Sequence, residues 1–367
     1  MITRKHTDWL LITIFLAVIC TPLAVQLAGS ATRTESHEKR SLAKMPVWPE
    51  AWAALCKWPT EFTAYYGDHF GLRSKLIRWH AVAVYRGLGM SPSDKVLVGR
   101  DGWLYYADDY SLEDYRSLVP FKQEELEQWK KVLEERQDWL AQRGAKFMLV
   151  LACDKYVIYP EFLPAGMRRT DAPYRVDVLA DYLKKNSRVP VVSLHEPLVE
   201  AKKHDRLYQR TDTHWNDRGA YVGYREIVKS THDLQPVEVT TPGWDLARMM
   251  GLDDIIHEQD LRLVPRQARR ARVVEQDRPD ALWNNGRVAL ECAGAPGGKM
   301  VMFRDSFGSA LVPMLAEHFK RSLFLWQYDL DTKVIEQEKP DLVILLITSR
   351  RMQWYQPANP PLPAKSD

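Results

Sequence analysis

Two short segments of the chain carry the residue types of acyl transfer. Thr211-Asp212-Thr213-His214-Trp215-Asn216-Asp217 lies at mid-length, and Arg304-Asp305-Ser306-Phe307-Gly308 lies near the end. In an extended segment residues two apart point the same way, so Asp212 and His214 stand side by side and a carboxylate can hold an imidazole. Ser306 follows the apolar run Met300-Val301-Met302-Phe303 and precedes the helix-like stretch Ala310–Leu315. A serine at a strand-to-helix turn exposes its hydroxyl where backbone N–H groups attract developing negative charge. Nucleophile, base and orienting acid are thereby present as Ser306, His214 and Asp212. For Ser306 and Asn216 the plainer alternative is helix capping, and for Asn216 it is the preferred reading. Asp305 is read as fixing the Ser306 turn. A metal site is the rival reading of Asp-x-His, but no further ligands recur at recognisable spacing, so no metal and no resident cofactor are expected.

The elements that must position these residues alternate between strand and helix patterns. Lys95–Val98 and Leu104–Tyr106 read as two strands around the Asp101-Gly102 turn. Helical periodicity covers 61–85, 121–143, 174–185, 195–203 and 220–230. Short apolar runs at 147–152, 189–194, up to 303, 322–326 and 341–347 read as buried strands. Residues 236–298 read as irregular, with an arginine-rich patch at Arg266, Arg269, Arg270 and Arg272. The alternation predicts an α/β fold with a mainly parallel sheet flanked by helices, and active residues at the carboxyl ends of strands. Lys155 and Ser306 both fall at such ends.

The 367 residues, 46% hydrophobic and 27% charged, suffice for a full core. A net charge of +3 does not suggest a nucleic-acid partner. Arg4 and Lys5 precede a largely apolar run from Trp9 to about Ala28, the length of a bilayer span. A cleaved signal peptide also fits, but the run exceeds a usual signal core and no clean cleavage site follows. The expectation is an uncleaved anchor with the remainder outside the cytoplasm. The resulting organisation is an anchor at 1–30, a linker at 31–45, one domain at 46–356 and a Pro-rich, disordered tail at 357–367. Cys56, Cys153 and Cys292 allow one disulfide and one free thiol, with the pair unspecified.

Several motifs occur in an order that is specific as a set. They are Asp68-His69-Phe70-Gly71-Leu72-Arg73, Val98-Gly99-Arg100-Asp101-Gly102-Trp103-Leu104, Asp154-Lys155 followed by Tyr159-Pro160, Thr211–Asn216, Arg304–Phe307 and Lys339-Pro340-Asp341-Leu342-Val343-Ile344. In these the chain resembles the periplasmic alginate O-acetyltransferase family typified by AlgJ and AlgX, whose catalytic domain is SGNH-hydrolase-like. The resemblance covers about residues 40–355. Asp-His preceding Ser reverses the order of ordinary SGNH hydrolases and is similar to this family's circularly permuted arrangement. Two departures stand out. The carbohydrate-binding module that follows the domain in AlgX is not seen, which makes the chain AlgJ-like. The family's Glu-Arg after the last strand reads Ser349-Arg350 here.

The resemblance implies an inner-membrane-anchored, periplasm-facing enzyme that O-acetylates a secreted polysaccharide, alginate or cellulose or a similar polymer. It implies an acetyl-Ser306 intermediate and a donor delivered by a membrane-bound O-acyltransferase partner. Trp215, Arg350 and Lys155 are the candidate substrate contacts, and Arg350 and Asn285 are candidate second oxyanion donors. An esterase with the same triad and a non-catalytic polymer-binding subunit remain as alternatives.

Overall fold

The structure, a computed structural model, describes residues 4–28, 42–49, 51–282 and 285–363. The linker expected at 31–45 lies outside the described residues as far as 41. The chain divides into two compact units. One comprises Met1–Ser93 with Arg248–Leu252, the other Asp94–Ala247 with Asp253–Asp367. The structural boundary thus falls near 93, whereas the sequence reading set it at 46.

The first unit is helical. Helix Arg4–Leu27 contains the apolar stretch His6–Gln26, 21 residues with a mean hydropathy of 2.1 and no part of it buried. At ~1.5 Å per residue it is long enough to cross a bilayer core of ~30 Å. Helices Trp58–His69 and Arg73–Val82 follow, the second running into a π turn at Ala83–Gly87.

Among its described residues the second unit has eleven strands. They are β1 Val96–Val98, β2 Leu104–Tyr106, β3 Lys146–Ala152, β4 Val191–Ser193, β5 Leu234–Pro242, β6 His257–Pro265, β7 Arg272–Gln276, β8 Arg287–Glu291, β9 Gly297–Phe303, β10 Phe319–Leu325 and β11 Leu342–Thr348. Seven form one sheet in the order β4-β3-β11-β9-β10-β8-β7. Its first five strands are parallel, and β8 and β7 add antiparallel. In the middle strands β3, β9 and β11 the buried positions are held almost wholly by Val, Leu, Ile, Met and Phe, as a sheet covered on both faces requires. Helix Gln123–Ala141 packs on β3, Arg175–Asn186 on β4, Val312–His318 on β10 and Thr332–Glu338 on β9. The predicted mainly parallel α/β sheet is therefore the fold observed.

Two expectations fail. Residues 236–298 are not irregular, because they supply β5 to β8, with β5 and β6 paired in a two-stranded ribbon. Pro236, Pro242 and Pro265 mask the ribbon, although proline is tolerated where no sheet neighbour needs its missing N–H. The tail is also ordered as far as residue 363. Arg136, buried in helix Gln123–Ala141, donates from Nε to Asn359 Oδ1 at 2.7 Å and from Nη2 to Ala358 O at 2.7 Å. Trp139 Nε1 donates to Pro363 O at 2.8 Å. A buried guanidinium needs acceptors, and the tail provides them.

Candidate active site

Asp154, Ser306 and Arg350 follow the carboxyl ends of β3, β9 and β11, three adjacent central strands. That is where open α/β sheets place their crevice.

The serine turn is braced from within. Asp305 Oδ1 accepts from Phe307 N at 2.9 Å, capping the 3-10 turn Ser306–Ala310. Its Oδ2 accepts from Thr348 N at 2.9 Å, Thr348 Oγ1 at 2.7 Å and Tyr328 Oη at 3.1 Å, which ties the turn to the end of β11. Arg304 is buried and braces the turn, donating to Ser309 Oγ at 2.8 Å and Leu282 O at 2.9 Å. Gly308 is required here, since a Cβ would sit 2.5 Å from Arg304 Cδ. Arg304, Asp305, Phe307 and Gly308 are buried, and Ser306 alone among these five is partly open.

The histidine loop is braced from outside. Tyr208 and Trp215 pair antiparallel and close its neck. Within it Asp212 Oδ1 accepts from His214 N at 2.9 Å and lies 2.6 Å from His214 Nδ1. Lys155 is buried, and its ammonium donates to the carbonyls of Gln209 (3.0 Å), Arg210 (3.0 Å) and Asp212 (2.5 Å). Glu258 accepts from Arg210 N at 2.6 Å and from Thr211 N and Oγ1 at 3.0 and 2.6 Å. Asp260 accepts from Gln209 Nε2 at 2.8 Å and Asn216 Nδ2 at 3.2 Å. Arg206 balances the two acids, 3.1 Å from Glu258 and 2.8 Å from Asp260. Asp245 accepts from Thr213 N and Oγ1, both at 2.9 Å. Asn216 caps helix Asp217–Val228 as expected, accepting from Arg218 N and Gly219 N.

The two segments meet at Phe307, the residue after the serine. Trp215 Nε1 donates to Phe307 O at 3.1 Å, and the His214 and Phe307 rings lie 5.1 Å apart. His214 Nε2 is buried with no hydrogen-bond partner among the described residues. With Nδ1 donating to Asp212, Nε2 carries the free lone pair a general base needs. Burial pulls the His214 pKa down, but the Asp212 charge and hydrogen bond outweigh it and leave it raised. Burial pushes Asp212 up, but His214, reinforced by Lys155, brings it down to about 2. Burial lowers Lys155 to about 8, and burial with the nearby Asp212 charge raises Asp245 to about 6.

Asp212, His214 and Asp245 each offer a ligand atom within 4.8 Å of the others, so a second acid that sequence spacing did not reveal joins the Asp-x-His pair. In this arrangement Nδ1 of His214 is taken by Asp212, and both Asp245 oxygens are taken by Thr213.

The three candidate substrate contacts are all buried and engaged with protein groups. Trp215 joins the histidine loop to the serine turn, and Lys155 holds the loop backbone. Arg350 pairs with Asp154, whose Oδ2 also accepts from Ser349 Oγ at 2.8 Å and Arg350 N at 2.9 Å. Its guanidinium lies over the Phe307 ring, 5.8 Å from the centroid. Asp154 thus meets Arg350 across β3 and β11. Asn285 is exposed in a turn. All four cysteines are free, and burial raises the Cys153 thiol well above its ordinary range, so no disulfide forms among the described residues. The braces Glu258, Asp260 and Asp245 escaped the sequence reading. The signal was Glu258-x-Asp260, two acids on one face of a strand.

Residues 96–281 match the family described as SGNH hydrolase-like domain, acetyltransferase AlgX. The match includes Asp212 and His214 and ends before Ser306. The chain is similar to a "Probable alginate O-acetylase AlgJ" of Pseudomonas aeruginosa, 27% identical over 243 residues, or 60% of this chain and 53% of that one. The protein of the same name from Pseudomonas syringae pv. tomato is 23% identical over 201 residues, 54% of this chain and 49% of that one. The chain spans about half the length of both relatives. Among solved structures, Bacillus cereus PatB1 with a sulfonyl adduct superposes with a TM-score of 0.51 at 17% identity, covering 70% of this chain and 97% of that one. That likeness supports the fold.

Proposed function

The chain belongs to the SGNH hydrolase-like, AlgX-type acetyltransferase family, and from that premise we propose that it transfers acetyl groups to hydroxyls of a secreted polysaccharide. The observation that carries this reading is the Asp212–His214 pair, its free Nε2 set against the residue that follows Ser306. In the first half-reaction Ser306 Oγ attacks the acetyl carbonyl while His214 Nε2 takes the hydroxyl proton. The tetrahedral adduct then collapses, the donor leaves with that proton, and Ser306 carries the acetyl ester. In the second, a sugar hydroxyl attacks the ester, His214 accepts its proton and returns it to Ser306 Oγ, and the acetylated sugar departs. Asp212 keeps the imidazole in the tautomer with Nε2 unprotonated and stabilises its cation.

Alginate, the substrate named for the Pseudomonas relatives, is the first acceptor to test, with cellulose beside it. Helix Arg4–Leu27 anchors the chain in the inner membrane with the second unit in the periplasm, where a membrane-bound O-acyltransferase supplies acetyl. The test gives the full chain an activated acetyl ester with and without oligosaccharide. Acetyl moving to sugar faster than to water supports the transferase. Water preferred at every sugar concentration makes the chain an esterase. Equal turnover by wild type and Ser306→Ala removes both enzymatic readings and leaves polymer binding.

A further inference from the structure

The first unit displays a large apolar surface for a structure with so few core residues. No residue of helix Trp58–His69 is buried, and Ala81 is the only buried residue of helix Arg73–Val82. Trp48 (69%), Trp52 (78%), Ile77 (45%), Trp79 (62%) and Leu88 (68%) stand open. Trp48, Trp58, Phe62, Tyr66 and Phe70 form an unbroken chain of rings with successive centroids 4.9 to 6.4 Å apart, and apolar surface joined in this way marks a contact site. Aromatic rings run down the first helix, with Trp58 and Phe62 centroids 4.9 Å apart and Tyr65 and His69 4.3 Å apart.

The position of Gly71 indicates what covers this surface. A Cβ at Gly71 would lie 2.1 Å from Pro22 O and 2.8 Å from Gln26 N. The link between the two helices is thus pressed against the last turns of helix Arg4–Leu27, where the apolar stretch ends. If that stretch spans the bilayer, Gly71 and its helices stand at the level of the headgroups. Trp and Tyr concentrate at that depth, because an apolar ring with a polar edge suits the boundary. Residues 45–90 carry Lys57, Arg73, Lys75, Arg78 and Arg86 against Glu50, Glu61 and Asp68, an excess of positive charge suited to anionic headgroups, although Arg73 also faces Asp68.

We propose that residues 45–90 form an interfacial collar that lies in the headgroup layer of the membrane crossed by helix Arg4–Leu27. The proposal rests on reading that helix as a membrane span, and two native thiols separate the two claims. Cys20 lies in the apolar stretch and Cys56 in the collar; both are exposed, while Cys153 and Cys292 are buried. The full chain is reconstituted in phosphatidylethanolamine–phosphatidylglycerol vesicles as Cys20→Ser and Cys56→Ser variants. A nitroxide on the remaining exposed thiol is then measured for collision with oxygen, which partitions into lipid, and with a water-soluble nickel chelate. The proposal expects the Cys20 label to be strongly oxygen-favoured and the Cys56 label to show an oxygen-to-nickel ratio several-fold above an aqueous nitroxide. A Cys56 label matching the aqueous value beside a lipid-phase Cys20 label overturns the collar and leaves the span. An aqueous Cys20 label overturns both. Protection of Cys56 only in vesicles that hold other membrane proteins overturns the lipid assignment in favour of a protein partner.

Discussion

The serine turn and the histidine loop meet at Phe307 but are held by opposite means. The turn is fixed by its own sequence: one carboxylate, Asp305, caps Phe307 and reaches Thr348 at the end of the adjoining strand. The loop has almost no regular structure of its own and is suspended from Lys155, Glu258, Asp260 and Asp245, which lie 32 to 57 residues from the atoms they hold. A nucleophile at a strand end inherits rigidity from the sheet. A base on a loop must acquire it from buried charge, and buried charge is costly unless every partner is present. The difference predicts that the two halves of the site fail differently when mutated.

The largest effect is expected at the loop. Glu258→Gln removes the charge that faces Arg206 and weakens the acceptor for Arg210 N, Thr211 N and Thr211 Oγ1. Arg206 keeps Asp260 at 2.8 Å, so the cost is that of the hydrogen bonds lost or weakened at a charged acceptor, about 1.5–3 kcal/mol each, read as a lower Tm, with activity falling because the Asp212–His214 geometry relaxes. A variant with unchanged Tm and activity would break the comparison.

Asp305→Asn is expected to cost less. An amide has one acceptor oxygen where the carboxylate uses two, so at least one of four donors loses its partner, at about 1–3 kcal/mol. The rate of serine acylation should fall while its pH dependence stays in place, since the change leaves His214 and Asp212 alone. A shifted pH profile in Asp305→Asn would contradict the separation drawn between turn and loop.

The smallest effect is a displacement along the pH axis. His214 acts as a base only when neutral, and its pKa is raised above the ordinary 6.5. The acid limb of kcat/KM should therefore rise through a value above 6.5, and Asp212→Asn should move it down as well as slow the reaction. The same pair contributes to stability in two windows. The His214 share is fully present below 6.5 and is lost as pH rises through its raised folded value. The Asp212 share is present above 3.8 and is lost as pH falls through about 2. An acid limb at or below 6.5 in the wild type would mean that Asp212 does not hold the imidazolium.

The same contrast accounts for what could be read from the sequence. Asp212 and His214 are two residues apart, and Ser306 sits between an apolar run and a helix pattern, so local spacing was enough to single them out. The central strands were legible because continuous apolar runs have few other uses. Glu258 and Asp260 were not, because β6 alternates polar residues in a ribbon bounded by prolines, a pattern shared with loops. Lys155 is legible as a strand-end residue and candidate substrate contact, but no local pattern reveals that three carbonyls 54 to 57 residues away surround it. Trp215 and Arg350 were legible as belonging to the site, but not as its struts.

The central claim is that Ser306 takes the acetyl group because His214 removes its proton. The most direct test is to expose the full chain to an activated acetyl ester, quench early, and locate the acetyl by peptide mass spectrometry. The account predicts acetyl on the peptide containing Ser306 in the wild type and none in Ser306→Ala. Labelling should be slowed at least about a thousandfold in His214→Ala, because triad members act as a unit. Equal labelling of wild type and His214→Ala at Ser306, or acetyl on another residue with Ser306 unmodified, would contradict it.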